Sequence, residues 1–290
     1  MIECLVLPSA GYRLISLVGS IKYLQEVKYY ERKNIKDIYG VSAGSWLGTI
    51  ICLTDRWDDL VDYVINRPYN KIYQFKVDDY INMIENKGII NIDMIRNFVK
   101  PIFDSNDIDI DTITLKEFYD ITNINMNIYA VNTTNYISVN FNHKTEPDMR
   151  LLEALYMSAT VPLVFTPLFY KNRCYVDGGL HIDYPLEDAL KKYKDDNILS
   201  LYVTDTNFEK NNIINSDDNI LLYFIKLFNG VRRARTKEKH ITNKKSIIIK
   251  TEASNYENIM KFLNDKSERQ KLFDIGYQAS KTYIDNIKQV

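Results

Sequence analysis

A serine between two glycines is the part of the sequence best suited to chemistry. Gly40-Val41-Ser42-Ala43-Gly44 is a Gly-x-Ser-x-Gly pentapeptide that follows a short apolar run and begins an apolar segment. A nucleophile elbow is a sharp strand-to-helix turn that holds such a serine in a strained conformation, and its flanking glycines prevent clashes between strand and helix. Ser42 is therefore the candidate nucleophile. The alternative is an ordinary helix start that the Ser42 side chain caps.

The segments before Ser42 predict a strand-helix-strand unit. Residues 2–7 are an apolar run without helical period, ended by a small-residue turn at 8–11, which predicts a buried strand. Apolar residues at helical spacing over 14–27 predict an amphipathic helix, and residues 37–39 predict a second strand. Two strands joined by a helix imply parallel pairing with a right-handed crossover.

Further along the chain, strands alternate with helices. Residues 55–124 read as a helical cap beside the active site, with helices at 57–65, 77–84, 92–103 and 115–121. The later predicted strands are 125–133, 136–141, 174–176, 198–204 and 246–250, and the later predicted helices are 149–157, 185–193, 219–240 and 272–287. The fold class is therefore α/β, a three-layer α/β/α architecture with a mostly parallel central sheet. No repeat or low-complexity linker divides it, so we expect one domain over residues 1–290.

Glycines concentrate where the predicted strands end. Five of the ten glycines are Gly11, Gly40, Gly44, Gly178 and Gly179, and they follow three predicted strands. Open α/β sheets build their sites at the carboxyl ends of strands, where backbone must bend sharply or approach a ligand. An aspartate, at 177, precedes the last two of these glycines, and its ordinary interpretation is a turn aspartate, which commonly precedes glycine.

These motifs resemble those of the patatin-like phospholipases, a family of lipid acyl hydrolases. Residues 9–14, Ser-Ala-Gly-Tyr-Arg-Leu, are similar to a degenerate form of the family's Gly-Gly-Gly-x-Arg-Gly loop, and residues 40–44 match its nucleophile motif. Residues 158–167 resemble the segment preceding its catalytic aspartate. Asp177-Gly178-Gly179, with Pro185, is similar to its Asp-Gly-Gly signature. The resemblance covers residues 1 to about 205.

The resemblance implies a single patatin-like domain that hydrolyses lipid esters through a Ser-Asp dyad without histidine. Ser42 would attack the ester carbonyl to form an acyl-enzyme, and Asp177 would take the serine proton and then activate water. Beside an apolar loop, partial desolvation would raise the pKa of Asp177 toward a useful range. The first loop would supply the oxyanion hole, from Ala10, Gly11, Tyr12 and Arg13.

The first loop departs from the family pattern at three positions. Ser9 and Ala10 replace two glycines, and Leu14 replaces the last. Small residues still allow backbone amides to face a ligand, but only if their dihedrals stay in regions open to L-residues. Arg13 matches the family's basic position, and its alternative is a surface arginine at a helix start.

Two other functional interpretations remain. An α/β-hydrolase esterase would use Ser42, an acid and His240 in that chain order. Only one strand and one helix precede the elbow strand, which argues against it. His181 either lines the site mouth or is an ordinary loop histidine. The second interpretation is a catalytically weak or inactive patatin-fold module that binds lipid, which the presence of both Ser42 and Asp177 argues against.

Composition limits the partners and the compartment. The 37 basic and 38 acidic residues nearly cancel, so nothing indicates nucleic acid as a partner. Three widely spaced cysteines, Cys4, Cys52 and Cys174, argue for a reducing compartment and against a zinc site. No apolar run is long enough to span a bilayer. We therefore expect a cytoplasmic enzyme that needs no metal or other cofactor and acts on a phospholipid or another lipid ester.

Two segments are candidates for transient contact with a membrane surface. Residues 219–240 are apolar and then basic, a pattern typical of interfacial helices that contact anionic headgroups. The alternative is a core helix with a solvated basic end. Residues 161–169 form an apolar loop with two prolines and are the second candidate, for acyl-chain contact or interfacial insertion.

Overall fold

The fold is built on an eight-stranded mixed sheet. The computed structural model describes residues 1–72, 83–237, 242–252 and 255–289. The strands are β1 (Cys4–Leu7), β2 (Asp37–Val41), β3 (Asn125–Asn132), β4 (Ile137–Phe141), β5 (Phe169–Tyr170), β6 (Arg173–Asp177), β7 (Ile198–Thr206) and β8 (Ser246–Glu252). Their order is β5-β6-β3-β2-β1-β7-β8, and β4 also pairs with β3. The central pairs β3-β2, β2-β1, β1-β7 and β7-β8 are parallel, whereas β4, β5 and β6 pair in antiparallel fashion. The predicted mostly parallel sheet is confirmed.

The helices follow the predicted alternation. They are α1 (Leu14–Glu26), α2 (Ala43–Leu53), α3 (Trp57–Asn66), α4 (Tyr69–Ile72), α5 (Ile92–Asp104), α6 (Leu115–Thr122), α7 (Leu151–Ser158), α8 (Leu186–Leu190), α9 (Phe208–Asn211), α10 (Ile220–Lys237), α11 (Tyr256–Asn264) and α12 (Lys266–Lys288). Most of the predicted helix 77–84 and residues 238–240 of the predicted helix 219–240 lie outside the described residues.

One predicted helix is shorter than expected. The helix predicted over 185–193 ends at Leu190. Lys192 and Tyr193 lie beyond its end, and both donate hydrogen bonds to the carboxylate of Asp37 at the start of β2. A buried carboxylate requires such donors, and Lys192 and Tyr193 supply them from beyond the end of the helix.

Helices cover both faces of the sheet because the strand residues alternate in direction. In β1, Leu5 and Leu7 belong to the large core cluster that includes residues of α1, α2 and α7. Cys4 and Val6 belong to a second cluster, on the opposite face, which includes Leu186 of α8. Successive strand residues point to opposite faces, so this division is the expected signature of a three-layer fold.

The last helix packs along the first. Ser20 Oγ of α1 lies 2.6 Å from Ser280 Oγ of α12, and the rings of Tyr23 and Tyr277 meet edge to face at 5.0 Å. Strands β7 and β8, from the same C-terminal part of the chain, extend the sheet beyond β1. The C-terminal third of the chain therefore packs against β1 and α1, the strand and helix on either side of the first loop.

Candidate active site

Ser42 occupies the turn between β2 and α2 in a conformation that L-residues rarely adopt. Its backbone angles are φ 53° and ψ −122°. Such a conformation costs on the order of 1–3 kcal/mol, so it persists only where the surroundings impose it. A Cβ atom at Gly44 would lie 2.4 Å from the Leu7 carbonyl oxygen and 2.5 Å from that of Pro8, so only glycine allows α2 to start this close to β1. The predicted strained elbow is present.

The side chain of Ser42 is directed away from the helix that it precedes. Ser42 makes no side-chain capping bond to α2. Instead, its Oγ donates a hydrogen bond to Asp177 Oδ2 at 2.6 Å. The alternative of an ordinary helix-capping serine is therefore wrong.

Strand register brings Asp177 beside Ser42. Val41 of β2 pairs with Tyr129 of β3, and the next residue of β3, Ala130, pairs with Asp177 of β6. Strand β4 occupies the other edge of β3, so β2 and β6 pair with the same edge, one after the other. Ser42 follows Val41 and therefore stands directly beside Asp177, where β6 takes the place of β2. The three glycine sites follow the ends of β1, β2 and β6, as expected, although β6 runs antiparallel to β3. The carboxylate reaches the site because β6 overlaps only the last three residues of β3.

Asp177 is buried and held on both sides of its carboxylate. Its Oδ1 accepts a hydrogen bond from the Gly179 amide at 2.7 Å, and its own amide donates to the Thr160 carbonyl at 2.8 Å. The residue is 3% exposed. Burial raises the pKa of Asp177 to about 6, although the hydrogen bonds from Ser42 and Gly179 act in the opposite direction. This is the direction expected for a carboxylate beside an apolar loop.

Ser158 holds the elbow from the other side, and the sequence did not single it out. Its Oγ accepts a hydrogen bond from the Ser42 amide at 2.8 Å and donates one to the Tyr129 carbonyl at 2.6 Å. Ser45 Oγ lies 3.1 Å away. The one sequence feature that could have pointed to Ser158 is that it begins residues 158–167, the segment that resembles a family motif.

The first loop adopts dihedrals that its substitutions allow. Ala10 has φ −145° and ψ −15°, and Gly11, with φ 56°, is the residue of the loop that takes a left-handed conformation. A Cβ at Gly11 would meet no atom within 4 Å. Within the described parts of the chain, the amides of Ala10 and Gly11 have no hydrogen-bond partner. The glycine is therefore retained where the backbone requires it.

The loop lies next to the Asp177 carboxylate. A Cβ at Gly179 would stand 3.0 Å from Ser9 Oγ and 3.0 Å from Asp177 Oδ1. Arg13, at the end of the loop, is 2% exposed, and its guanidinium donates to Asp205 and, at 3.2 Å, to Thr251 Oγ1. The alternative of a surface arginine is therefore wrong.

The histidines in the described ranges are engaged elsewhere. His181 is exposed and its Nδ1 lies 2.7 Å from Ser138 Oγ. His143 stacks on Tyr119 with ring centroids 3.7 Å apart. His240, the histidine of the α/β-hydrolase interpretation, lies outside the described residues. Among the residues that the structure covers, no group of three or more His, Cys, Asp or Glu side chains could hold a metal ion.

Helix α10 exposes apolar side chains on one side. Ile220 is 63% exposed, and Tyr223, Leu227 and Val231 are each 43% exposed. Their spacing of three, four and four residues places them on one helix face. Arg232, predicted for a basic membrane-facing or solvated end, is instead 9% exposed, so that prediction is wrong at this position. Arg233 is half-buried over the Phe208 ring, and the basic side chains predicted from 235 to 239 lie outside the described part.

The segment that follows α7 is joined to the predicted cap. The amides of Ile89 and Ile90 donate to the Val164 carbonyl at 3.0 and 2.9 Å. The Tyr156 hydroxyl donates to the carbonyls of Ile90 and Thr166 at 2.8 and 2.6 Å. Residues 161–168 are half-buried, and the loop links the cap to Thr160, whose carbonyl accepts the Asp177 amide. In the parts of the chain that the structure describes, none of the helices has the length and apolar character needed to cross a bilayer.

The whole arrangement matches one known family. The model of the patatin-like phospholipase family matches residues 5–190, which is more than half of the chain. The chain belongs to this family. The patatin-like segment thus includes the first loop, the elbow and Asp177, and it ends at the last residue of α8.

Two viral proteins are similar to this patatin-like chain. The probable lipid hydrolase 463L of Invertebrate iridescent virus 6 is 27% identical over 199 residues, which is 67% of this chain and 66% of that protein. The uncharacterised protein R571 of Acanthamoeba polyphaga mimivirus is 24% identical over an alignment of 294 positions, which covers 98% of this chain and 94% of that protein.

Two solved structures share the fold at low sequence identity. VipD from Legionella pneumophila has a TM-score of 0.54 and 16% identity, with 98% of this chain and 67% of VipD covered. The type III effector ExoU of Pseudomonas aeruginosa has a TM-score of 0.50 and 12% identity, with 98% of this chain and 53% of ExoU covered. These likenesses agree with the three-layer architecture predicted from the sequence.

Proposed function

We propose that this patatin-like chain hydrolyses carboxylic esters of lipids through a Ser42–Asp177 dyad and an acyl-enzyme. The observation that carries the proposal is the 2.6 Å hydrogen bond from Ser42 Oγ to Asp177 Oδ2, made by a serine in the strained elbow conformation. Family membership and the name of the iridescent virus relative support the coarser assignment, a lipid hydrolase.

The proposed reaction has two halves in which one proton moves to and from Asp177. Ser42 Oγ bonds to the ester carbonyl carbon while its proton passes to Asp177. The tetrahedral intermediate then expels the alcohol, which takes that proton. In the second half, Asp177 removes a proton from water, the hydroxide adds to the acyl-enzyme, and the fatty acid leaves as Ser42 recovers its proton.

The developing oxyanion needs hydrogen-bond donors, and we assign this role to the Ala10 and Gly11 amides. Both lack partners within the described residues, and the N-terminus of α2 adds its positive dipole end. The Arg13 amide already donates to the Ala10 carbonyl at 3.2 Å. The oxyanion role predicted for Arg13 is therefore better replaced by a role in holding the loop.

The proposal is tested by covalent labelling and by product analysis. A fluorophosphonate probe should modify Ser42, located by peptide mass spectrometry, and phospholipid vesicles should release free fatty acid. Release should continue in a chelator, since the proposed reaction uses no metal. Absence of both an adduct at Ser42 and fatty-acid release would leave the lipid-binding module as the better interpretation.

The vesicle assay, applied to a surface variant, tests the predicted membrane contact. We propose that the exposed face of α10, which includes Tyr223 and Leu227, touches the lipid surface during turnover. Leu227→Glu should then lower hydrolysis of phospholipid in vesicles and leave hydrolysis of a soluble short-chain ester unchanged. Equal rates with vesicles for wild type and variant would exclude this surface.

The raised pKa of Asp177 predicts an acid limb in the pH profile. The carboxylate must be ionised to accept the serine proton, so kcat/KM for a soluble ester should fall about tenfold per pH unit below an apparent pKa of about 6. Samples held at each pH and then assayed at neutral pH separate titration from inactivation. A flat profile down to pH 4.5 would contradict a buried aspartate base.

A further inference from the structure

Four charged side chains from distant parts of the chain meet beside the first loop. They are Arg13, Asp183, Asp205 and Arg232, which we call the ion-pair network. Arg232 Nη1 donates to both carboxylate oxygens of Asp183 at 2.9 Å, and its Nη2 donates to Asp205 Oδ2 at 3.3 Å. Asp205 Oδ1 accepts a hydrogen bond from Arg13 Nη1. Two acidic and two basic groups balance, so the network has no net charge.

The network holds the first loop at both ends. The Ser9 amide donates to the Asp183 carbonyl at 3.0 Å, and Ser9 Oγ donates to the Asp183 carboxylate. At the other end, Arg13 Nη1 also donates to Thr251 Oγ1 at 3.2 Å, and Arg13 Nε donates to the Ala10 carbonyl at 3.2 Å. The two amides assigned to the oxyanion lie between these anchors. Their position therefore depends on the network.

Burial makes the network a determinant of conformation more than of stability. Asp183 is 5% exposed, and the side chain of Asp205 is 6% exposed. The desolvation of a buried ion pair largely offsets its attraction, whereas a member that loses its partner is left as an unpaired buried charge. Only the arrangement that pairs all four groups is favourable. That arrangement is the one in which the loop lies against Asp177.

The network also explains a departure from the family loop. Where the family has glycine, this chain has Ser9, whose hydroxyl supplies the bond to Asp183. Asp205, Arg232 and Thr251 lie beyond residue 190, where the match to the family model ends. The C-terminal third of the chain thus supplies half of the network and one of its further partners.

We propose that Asp183 and Arg232 are positioning residues for ester hydrolysis, which hold the 9–13 loop so that its amides are oriented before the substrate binds. The catalytic consequence rests on the proposed function. The structural consequence, a loop that is rigid only when the network is complete, does not.

Two variants test the proposal while leaving every network charge in place. Ser9→Ala removes the hydroxyl that joins the loop to Asp183. Arg232→Lys keeps the positive charge but loses the planar group that bridges two carboxylates. The matched control is Arg269→Lys, because Arg269 is also buried, at 5% exposed, yet donates to the carbonyls of Ile65 and Phe262 at 2.7 Å, outside the network.

Both test variants should lower kcat for a soluble ester about 10-fold while KM stays within about 2-fold, because misplaced donors weaken binding of the transition state more than of the substrate. Hydrogen exchange of the amides of residues 9 and 13, which donate hydrogen bonds in the folded loop, should become at least about 10-fold faster. Arg269→Lys should change neither quantity, although it lowers the melting temperature.

Wild-type kcat and wild-type exchange in both variants would overturn the proposal, as would an equal loss of kcat in the Arg269→Lys control. If Arg232→Lys does not fold, Ser9→Ala decides alone. If the wild-type protein hydrolyses no ester, the proposed function fails, and exchange of the amides of residues 9 and 13 still decides whether the network holds the loop.

Discussion

Ser42→Ala is expected to lower kcat for ester hydrolysis by at least about 1000-fold, because no other nucleophile can replace Ser42 Oγ. Asp177→Asn should cause a loss of similar size, because an amide cannot accept the serine proton, and the two losses should not add in the double variant. The measurement is kcat on a soluble short-chain ester. Ser280→Ala is the control, since Ser280 is also a buried serine but bonds to Ser20 between α1 and α12. Full esterase activity in a folded Ser42→Ala or Asp177→Asn protein would refute the dyad.

The stability of Asp177→Asn separates loss of chemistry from loss of fold. Because burial raises the pKa of Asp177 to about 6, the proton stabilises the folded wild type fully below the unfolded pKa of about 4. That contribution is lost as the pH rises from about 4 through about 6. The shift corresponds to about 3 kcal/mol. The variant stays neutral at every pH, so its free energy of unfolding at pH 8 should equal or exceed that of the wild type.

Gly276→Val is expected to lower the free energy of unfolding by about 3 kcal/mol or more. A Cβ at Gly276 of α12 would lie 1.7 Å from the Ser16 carbonyl oxygen of α1. A Cβ at Gly19 of α1 would lie 2.1 Å from the Phe273 carbonyl oxygen of α12. The two backbones are therefore in contact, and a side chain at this crossing must force the helices apart. Urea unfolding at neutral pH measures the loss.

The control for this prediction is another helical glycine with space around it. A Cβ at Gly230 of α10 would have its nearest atom, Asn212 Nδ2, at 3.7 Å, an ordinary contact. Gly230→Ala should therefore raise stability by up to about 1 kcal/mol through helix propensity. The crossing would lose its importance if Gly276→Val unfolded within about 1 kcal/mol of the wild type.

Local sequence patterns predicted the elements of the active site because their determinants are local. The apolar run at β1, the helical spacing over α1 and the glycines around Ser42 each act within a few residues. For the same reason, the sequence identified the elbow serine as a candidate, and the resemblance to the family then added Asp177. A glycine at 11 and small residues at 9 and 10 also indicated that the first loop could still form.

Other parts of the site could not be read from local patterns. Ser158 looked like one small residue in an apolar segment, and Arg232 looked like the first of several basic residues at a helix end. Both are buried. Ser158 bonds to Ser42, 116 positions away, and Arg232 bonds to Asp183, 49 positions away. A hydrogen bond between such positions leaves no periodic signal in the sequence.

The sequence by itself determined the alternating α/β order, the elbow serine and the aspartate before two glycines, because backbone geometry at a turn depends on the residues in that turn. Only the tertiary structure decided that Ser42 and Asp177 meet. Their contact depends on β6 running antiparallel and overlapping just the end of β3, and strand register is set by long-range pairing. Tertiary structure also decided that Arg13 is buried and paired, because its partner Asp205 is brought to it by the strand that pairs with β1.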